Sequence, residues 1–374
     1  MSSASQLRLL LVTPRYPPEM GGVENHVYQV ARRFAATGLD VSVLTTDRER
    51  TLPAFEVCEG VKVQRVPAWP RNGDVYFAPG VYRQIRRGDW DIIHLQSYHT
   101  LVAPLAMMAA WRAGIPYVVT FHGGGHSSRL RNALRVPQRL LLRPLLRKAD
   151  HLVATAYFEI PFFSRMLGVE AERFVYIPNG SDIVQPIRRI RQEEREPLIA
   201  SVGRLERYKG HHRILAALPN IVEKRPDVRL WIAGKGPYEG ALREMAARLG
   251  VADRVEFGSI PAVDRGAMAA ALSRASLVVL LSDYETHPMA ALEALALGCP
   301  VLVAATSGLQ ELAERGWARS IPLDSSPEGV AAAALELLER PLIPENIDLP
   351  TWDACAAGLL ELYERSLRRV GCAS

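Results

Sequence analysis

The stretch LIASVGRLERYKGHHRIL, residues 198–215, contains the pattern that decides the fold of this chain. Its apolar start predicts a buried strand, and the residues after Gly210 predict a helix. Arg204 and Lys209 lie in the loop between them, and Gly203 and Gly210 flank that loop. Two cations in a shaped strand-to-helix loop can neutralise a departing diphosphate, a role that Mg²⁺ would otherwise fill.

The same alternation of strand and helix extends in both directions and predicts an α/β protein with two units. Continuous apolar runs separated by helices indicate parallel sheets covered on both faces. The predicted strands are 7–13, 41–45, 92–95, 117–121, 152–155 and 174–177, then 198–202, 229–233, 255–257, 277–281 and 301–304. A charged segment without a core face separates the two series. We therefore expect a first domain of residues 1–183, a linker of 184–197 and a second domain of 198–352.

Length and composition agree with a two-domain globular protein. The chain has 374 residues, of which 48% are hydrophobic and 23% are charged. The net charge of +5 favours anionic partners, but it does not choose among phosphate-bearing substrates, anionic lipid and nucleic acid. No signal peptide is read at the N-terminus, and Gly114 and Pro116 interrupt the longest apolar region. We expect a cytoplasmic protein without a membrane span.

The segment PPEMGGVENH, residues 17–26, opens the first predicted helix. Gly21 and Gly22 permit positive φ and a close backbone approach, and the helix start directs N–H groups outward. This geometry suits a phosphate or the reacting end of a sugar. The segment lacks the G-x-G-x-x-G fingerprint, which argues against NAD.

The segment DYETHPMAALEALALGCPV, residues 283–301, carries two glutamates eight positions apart. Glu285 precedes a helix predicted over 287–297, and Glu293 lies about two turns into it. One carboxylate can hold a ribose and the other the transferred sugar, because carboxylates accept paired hydrogen bonds from diols. The N–H groups near 286–289 point toward any bound phosphate.

In combination these motifs resemble the retaining glycosyltransferases of family four, and the resemblance runs across nearly the whole chain. The motifs follow in the order GGVE (21–24), TFHG (120–123), GRL-x₃-KG (203–210), E-x₇-E (285–293) and GCPV (298–301). The resemblance implies the α/β fold called GT-B, with two Rossmann-like domains facing each other across a central cleft. The N-terminal domain would bind the acceptor and the C-terminal domain the nucleotide sugar. A C-terminal helix, 353–374, would cross back to the N-terminal domain.

The resemblance also implies roles for single residues. The catalytic set is His122 beside the transferred sugar, Arg204 and Lys209 at the diphosphate, and Glu285 at the donor sugar. The donor-binding set is Gly21, Gly22, Gly203, Gly234, Gly236, Ser259, Thr286, His287, Pro288, Met289 and Glu293, the last at the ribose. The base would be read largely by backbone groups around Gly234 and near Ser259.

The implied reaction is a front-face substitution. A hexose-type sugar moves from a UDP- or GDP-linked donor, with retained anomeric configuration, to a glycan, lipid-linked or phosphate-bearing acceptor. A phosphate oxygen takes the acceptor proton, so no separate protein base is needed. The donor is a substrate, and neither a metal nor another cofactor is expected.

Three features of the sequence depart from the family pattern. The first bears on the identity of the donor sugar, and the last bears on metal binding. Thr286 and His287 replace the usual glycine and aromatic residue in the loop that touches the sugar hydroxyls. Gln96 stands where many relatives have a second histidine. Asp89 and Asp91 form a D-x-D sequence, but at the entrance of a strand, where we expect no metal.

An arginine-rich segment, RLRNALRVPQRLLLRPLLRK (129–148), is less typical of the family. Its arginines recur at steps of four with leucines between them: Arg131, Arg135, Arg139, Arg143 and Arg147. On a helix this spacing aligns a cationic stripe beside an apolar one. The stripe predicts docking at an anionic inner leaflet or binding of acceptor phosphate, and a solvated arginine face is the alternative.

Other function classes stay open. A non-catalytic nucleotide- or sugar-binding protein and a GT-B phosphorylase or epimerase share the same motifs. An NAD-dependent oxidoreductase lacks its fingerprint. No nucleic-acid partner is expected, because aromatic residues are not interleaved with the arginines.

Overall fold

The structure is a computed structural model that describes residues 7–19, 21–71, 76–98, 100–123, 141–181, 195–261 and 264–371. The chain folds into two compact units. The first unit contains the described residues up to Gly123, those from 141 to Gly180 and those from Pro350 onward. The second unit contains the described residues from Ser181 to Leu349.

Strands and helices alternate along most of the described chain. The strands are β1 (Arg8–Val12), β2 (Asp40–Asp47), β3 (Phe55–Cys58), β4 (Val61–Pro67), β5 (Ile92–Gln96), β6 (Tyr117–Phe121), β7 (His151–Ala154), β8 (Phe174–Tyr176), β9 (Glu196–Val202), β10 (Arg229–Ala233), β11 (Val255–Gly258), β12 (Ala275–Leu280), β13 (Val301–Ala304) and β14 (Arg319–Ile321). The helices are α1 (Gly22–Ala36), α2 (Pro79–Arg87), α3 (Val102–Ala113), α4 (Glu159–Leu167), α5 (His211–Lys224), α6 (Glu239–Arg248), α7 (Arg265–Arg274), α8 (Met289–Ala296), α9 (Ser307–Glu314), α10 (Pro327–Glu339) and α11 (Trp352–Gly371). Residues 141–146 are also helical.

The first unit is built on a sheet of eight strands in the order β3-β4-β2-β1-β5-β6-β7-β8. All neighbours run parallel except β3 and β4, which are antiparallel. Alternate residues of the central strands point to opposite faces. Leu9 and Leu11 pack with α1 and α11 on one face, whereas Leu10 and Val12 pack with α2, α3 and α4 on the other.

The second unit is built on a sheet of six parallel strands in the order β11-β10-β9-β12-β13-β14. Numbered within the unit, this order is 3-2-1-4-5-6, the arrangement of dinucleotide-binding Rossmann domains. Strands β12 and β13 are buried throughout, and β9 and β10 are buried except near their ends. The predicted fold class, α/β with two Rossmann-like domains, is therefore confirmed.

The structure corrects the predicted elements in several places. No strand is predicted at β3, β4 or β14, because β3 and β4 carry exposed residues and β14 is only three residues long. The first sheet is consequently not wholly parallel. Helix α8 begins at Met289 rather than His287, since a residue that precedes proline is disfavoured in the helical region.

The C-terminal helix α11 belongs to the first unit, as expected. Its residues Leu359 and Tyr363 are fully buried against α1, where Phe34 lies with its ring centroid 5.7 Å from that of Tyr363. The start of the helix fits closely against Gly180, where a Cβ atom would lie 2.2 Å from the backbone nitrogen of Trp352. Among the described residues, no helix is long and apolar enough to cross a membrane.

Candidate functional site

The order of the second sheet indicates where this unit binds a ligand. The chain proceeds in opposite directions from β9 and β12, which are neighbours, and ligands of open α/β sheets bind at the carboxyl ends of such strands. Gly203 and Arg204 follow β9, and Ser282 and Glu285 follow β12. The two predicted motifs therefore meet at one edge of the sheet.

Lys209 and Glu285 form a charge pair at this edge. Lys209 Nζ lies 2.6 Å from Glu285 Oε1, and the two side chains are only 17% and 12% exposed. The same carboxylate oxygen accepts a hydrogen bond of 2.9 Å from the Ser282 hydroxyl. The backbone N–H of Glu285 donates to Ser307 Oγ at 2.8 Å. The cation and the carboxylate are thus held in place before any substrate arrives.

Arg204 lies on the same loop but remains accessible. Its side chain is 68% exposed and forms an ion pair of 3.0 Å with Glu206. One guanidinium nitrogen donates to the hydroxyl of Tyr208 at 2.7 Å. Lys209 Nζ lies 5.3 Å from the centroid of the same ring. Tyr208 therefore organises both predicted diphosphate-binding cations.

Glycines let the loops at this edge of the sheet pack backbone against backbone. A Cβ atom on Gly234 would lie 1.9 Å from the carbonyl oxygen of Gly203, and one on Gly236 would lie 2.3 Å from that of Leu205. The N–H of Gly234 donates to the carbonyl of Gly258 at 2.8 Å, which brings the exposed Ser259 beside this loop. These positions require glycine because backbone occupies the space of a side chain.

His211 is not predicted as a site residue, although it holds the loop that carries Arg204. Its Nε2 lies 3.2 Å from the carbonyl oxygen of Arg204 and its Nδ1 lies 2.8 Å from the hydroxyl of Ser201. A carbonyl only accepts, so Nε2 carries the proton and Nδ1 accepts from the serine. Burial lowers the pKa of His211 to about 4, which keeps the ring neutral. The only sequence signal is its place directly after Gly210.

The loop before α8 is held by the main chain of its neighbour. The N–H of Gly308 donates to the carbonyl of Glu285 at 2.8 Å, and a Cβ atom on Gly308 would lie 2.6 Å from the carbonyl oxygen of Thr286. His287 follows, and burial lowers its pKa to about 4. Pro288 caps the helix, and Met289 is its first residue.

Glu293 occupies the second turn of α8 and is buried. Its carboxylate forms an ion pair with Arg265, the first residue of α7. A ribose that binds to Glu293, as predicted, would have to share the carboxylate with that arginine.

The first unit has its own reversal of strand order, between β1 and β5. Gly21 caps α1 directly after the β1 loop, and Gly22 is the first residue of the helix. Glu24 of the same motif is buried and accepts a 2.8 Å hydrogen bond from Nε of Arg15. A Cβ atom on Gly21 would lie 2.5 Å from an oxygen of this carboxylate, so a larger residue there would displace the Glu24 side chain.

His122 is buried directly after β6, where side chains of the same unit contact it. Its Nε2 lies 2.8 Å from Oε1 of Gln96, the residue at which this chain departs from many relatives. The ring of His26, from α1, meets the His122 ring edge-on with centroids 4.9 Å apart. The Trp352 ring of α11 lies 5.8 Å from that of His26.

A buried hydrogen-bond chain continues from Gln96 to the C-terminal helix. Gln96 Nε2 lies 3.2 Å from Nε2 of His94, and this nitrogen also lies 2.7 Å from the hydroxyl of Thr120. The other ring nitrogen of His94 lies 2.5 Å from the hydroxyl of Tyr363. Burial lowers the pKa of His94 well below its ordinary value. Helix α11 is thereby linked to His122.

Glu159 is a second residue that sequence reasoning missed. Its carboxylate is fully buried and accepts the N–H of Gly123, next to His122, at 3.0 Å. It also accepts the N–H groups of Thr155 at 2.8 Å and Ala156 at 3.3 Å. Burial raises the pKa of Glu159 to about 7, against the opposing effect of these donors. No pattern in the sequence distinguishes this glutamate from others at a helix start.

The arginine-rich segment is described only in part. Arg131, Arg135 and Arg139 lie outside the described residues. Arg147 does not stand free in a stripe, because it donates to the carbonyl of Gly168, the C-cap of α4, at 2.6 Å. Arg143 lies against the same glycine. The two arginines therefore stabilise the end of a helix, where cations are favourable.

The D-x-D sequence forms ion pairs at the opposite ends of the strands. Arg8 bonds to Asp91 at 2.7 Å and also pairs with Asp89. These bonds lower the pKa of the Asp91 carboxyl. Among the described residues, no group of three or more histidine, cysteine, aspartate or glutamate side chains is arranged to hold a metal ion.

Comparisons with known proteins identify the class to which these two units belong. Residues 20–185 match the model of Glycosyltransferase Family 4, and residues 185–348 match that of Glycosyl transferases group 1. The chain belongs to the GT-B glycosyltransferases of family four. It is an enzyme that transfers a sugar from a nucleotide sugar.

Curated relatives match over most of their length. The chain is 30% identical to glycogen synthase of Mycobacterium tuberculosis, over 90% of this chain and 87% of the relative. It is also 30% identical to phosphatidyl-myo-inositol mannosyltransferase of Mycolicibacterium smegmatis, over 96% of this chain and 94% of the relative.

Solved structures share the fold. Sucrose-phosphate synthase from Thermosynechococcus elongatus superimposes with a TM-score of 0.75 at 21% identity, covering 99% of this chain and 100% of that one. The Anabaena HepE protein in complex with UDP-glucose gives 0.68 at 19% identity, covering 96% and 100%.

Proposed function

We propose that this enzyme transfers a hexose from a UDP- or GDP-linked donor, with retained anomeric configuration and without a metal ion. The acceptor is a glycan, a lipid-linked molecule or a molecule that bears phosphate. The observation that carries the proposal is the Lys209–Glu285 pair at the reversal point of the second sheet. HepE, which has the same fold, binds UDP-glucose, and the Mycolicibacterium smegmatis relative is a mannosyltransferase.

The Lys209–Glu285 pair could bind both parts of the donor, with the cation at the diphosphate and the carboxylate at the sugar. Lys209 is 2.6 Å from the carboxylate, and a donor phosphate would draw the ammonium group toward itself. Glu285 would then accept hydrogen bonds from the donor sugar, while the Ser282 hydroxyl keeps its orientation. Arg204, which is exposed, would bind the second phosphate. Two preorganised cations stabilise the negative charge that develops on the leaving group.

The reaction balances without a protein base. The bond from the anomeric carbon to the phosphate oxygen breaks, and the bond to the acceptor oxygen forms on the same face. The acceptor proton moves to the departing phosphate. His122, held by Gln96, would position the sugar and acceptor hydroxyls. In this proposal the cations of Lys209 and Arg204 take the part that Mg²⁺ would otherwise have.

A panel of thermal-shift measurements tests the donor site. UDP, GDP, ADP, dTDP and NAD are added to wild type, to Lys209→Ala and to Lys224→Ala. Lys224 is a matched control, because it is an exposed lysine at the far end of α5. A ligand at a hundred times its Kd adds about 2.7 kcal/mol to stability.

We expect one nucleoside diphosphate to stabilise wild type and Lys224→Ala, and to lose most of that effect in Lys209→Ala. Stabilisation by NAD alone, or by none of the five, contradicts the proposal. The anomeric configuration of the product, read by NMR, decides retention. Full activity after removal of metal ions by a chelator is expected, and its loss would contradict the metal-free mechanism.

We further propose a cytoplasmic enzyme that docks at an anionic inner leaflet through the segment 129–148. Arginine and leucine at steps of four support this docking, whereas the Arg147 bond to Gly168 removes one cation from it. Sedimentation with neutral and anionic vesicles tests the docking, and equal binding to both contradicts it.

A further inference from the structure

The loop after β2 has a conformation that its residues do not favour by themselves. Arg50 has φ of +59°, in the left-handed region that non-glycine residues seldom adopt. Asp47 holds the loop: its carboxylate accepts the N–H groups of Glu49 at 3.1 Å, Arg50 at 2.8 Å and Leu52 at 2.9 Å. Such strain persists only where the surrounding contacts enforce it, and it concentrates at functional sites.

This conformation places the Arg50 side chain on a tryptophan. The Arg50 guanidinium carbon lies 5.0 Å from the centroid of the Trp69 ring. Trp69 follows β4 and is joined to Phe77 by two reciprocal backbone hydrogen bonds of 2.9 and 2.7 Å. The two aromatic residues are nevertheless 46% and 42% exposed. A braced pair of exposed rings is typical of a binding surface.

Further arginines line the same edge. Arg48 lies with its guanidinium carbon 5.2 Å from the ring of Tyr76 and its Nη2 3.7 Å from Glu19. Arg15 follows β1, on the loop that leads to Gly21. Because β4, β2 and β1 are adjacent and parallel, the residues after them share one edge of the sheet. The described residues place no carboxylate within ion-pair distance of Arg50.

We propose that this Arg–Trp surface, formed by Arg48, Arg50, Trp69 and Phe77, binds the phosphorylated ring of the acceptor. The ring would pack on Trp69, and the guanidinium of Arg50 would bind the phosphate through two parallel hydrogen bonds. Arg48 lies on the same loop and adds positive charge. The inference rests on the proposed function, since it names the class of acceptor: a phosphorylated sugar or polyol, free or as a lipid headgroup.

Binding measurements on the full chain test the surface. The probes are glucose 6-phosphate and myo-inositol 1-phosphate, each compared with its unphosphorylated parent, and vesicles with or without phosphatidylinositol. The variants are Arg50→Ala and Trp69→Ala. Arg315→Ala is a matched control, because Arg315 also lies with its guanidinium carbon 5.0 Å from a tryptophan ring, Trp317, but in the second unit.

We expect at least one phosphorylated probe to bind wild type and Arg315→Ala more tightly than its parent does. Arg50→Ala should weaken this binding about 10- to 100-fold, as loss of a hydrogen bond to a charged group does. Trp69→Ala should weaken it less. A soluble phosphate that binds as well as the vesicles identifies a free acceptor, whereas binding only to phosphatidylinositol vesicles identifies a lipid headgroup.

Two results would overturn the inference: no phosphorylated probe binds, or the variants bind as tightly as wild type. The thermal shift with nucleoside diphosphates separates this failure from that of the proposed function. A donor that still stabilises Arg50→Ala and Trp69→Ala leaves the transferase assignment in place, because the donor site lies in the second unit.

Discussion

The two units hold their candidate catalytic residues by opposite means. In the second unit, Lys209 and Glu285 are charged and paired, on loops whose glycines put backbone against backbone. In the first unit, His122 is held by the neutral amide of Gln96, and Glu159 fixes the turn beside it. Under the proposed function, the second unit would exchange one ion pair for substrate contacts, whereas the first would keep His122 in one orientation for the hydroxyls it positions.

The largest expected effect comes from the charge pair. Lys209→Ala should lower kcat for sugar transfer by about 100- to 1,000-fold, because the cation proposed to stabilise the leaving group is lost. The unfolding transition should move little, since Ser282 still bonds to Glu285. Steady-state rates and thermal unfolding of this variant, with Lys224→Ala as control, measure both. A loss of stability in proportion to activity would mean that the pair serves the fold instead.

The next largest effect is expected at Gly210, on the free energy of unfolding. Gly210 has φ of +75°, and a Cβ atom there would lie 1.8 Å from the carbonyl oxygen of Leu281. Gly210→Ala should cost about 2–5 kcal/mol, from the left-handed conformation and the overlap together. Gly250 has φ of +67° but open space around it, so Gly250→Ala should cost only about 1–2 kcal/mol. Equal unfolding free energies of the two variants would contradict the main-chain contact.

Glu159 should contribute a smaller, pH-dependent effect in the first unit. Its folded pKa, about 7, is raised above its ordinary value of 4.5, so the folded state binds the proton more tightly. This contribution to stability is complete below pH 4.5 and is lost as the pH rises to 7. For a pKa of about 7 in the folded state, it amounts to about 3 kcal/mol.

The difference in unfolding free energy between wild type and Glu159→Gln separates the titration of Glu159 from that of other groups. His211 and His287, whose pKa values are lowered to about 4, act in the other direction and gain stability as the pH rises toward 6.5. Both histidines are present in the variant, so their contributions cancel in the difference. In denaturant unfolding, the unfolding free energy of wild type relative to Glu159→Gln should fall as the pH rises from 4.5 to 7.5. A constant difference would mean that folding does not raise the pKa of Glu159.

Much of the second unit was predictable because its features are local in sequence. Continuous apolar runs predict β10 and β13 with their observed bounds, and the glycines of 203–210 mark a shaped loop. The first unit was less predictable. Its strands β3 and β4 contain exposed residues and therefore lack the continuous apolar run that marks the other strands. The residues around His122 come from β5, α1 and α11. Spacing along the chain carries no signal for such contacts.

The sequence by itself determined the α/β class, the two units, the family and the residue types at the loops proposed to bind the donor. These follow from periodicity and from glycines whose conformations only glycine tolerates. The tertiary structure alone decided that Lys209 meets Glu285, that Tyr363 reaches His94 and that Arg50 lies on Trp69. Each of these contacts joins residues from separate segments of the chain, and the distances between them depend on strand order, which no local pattern encodes.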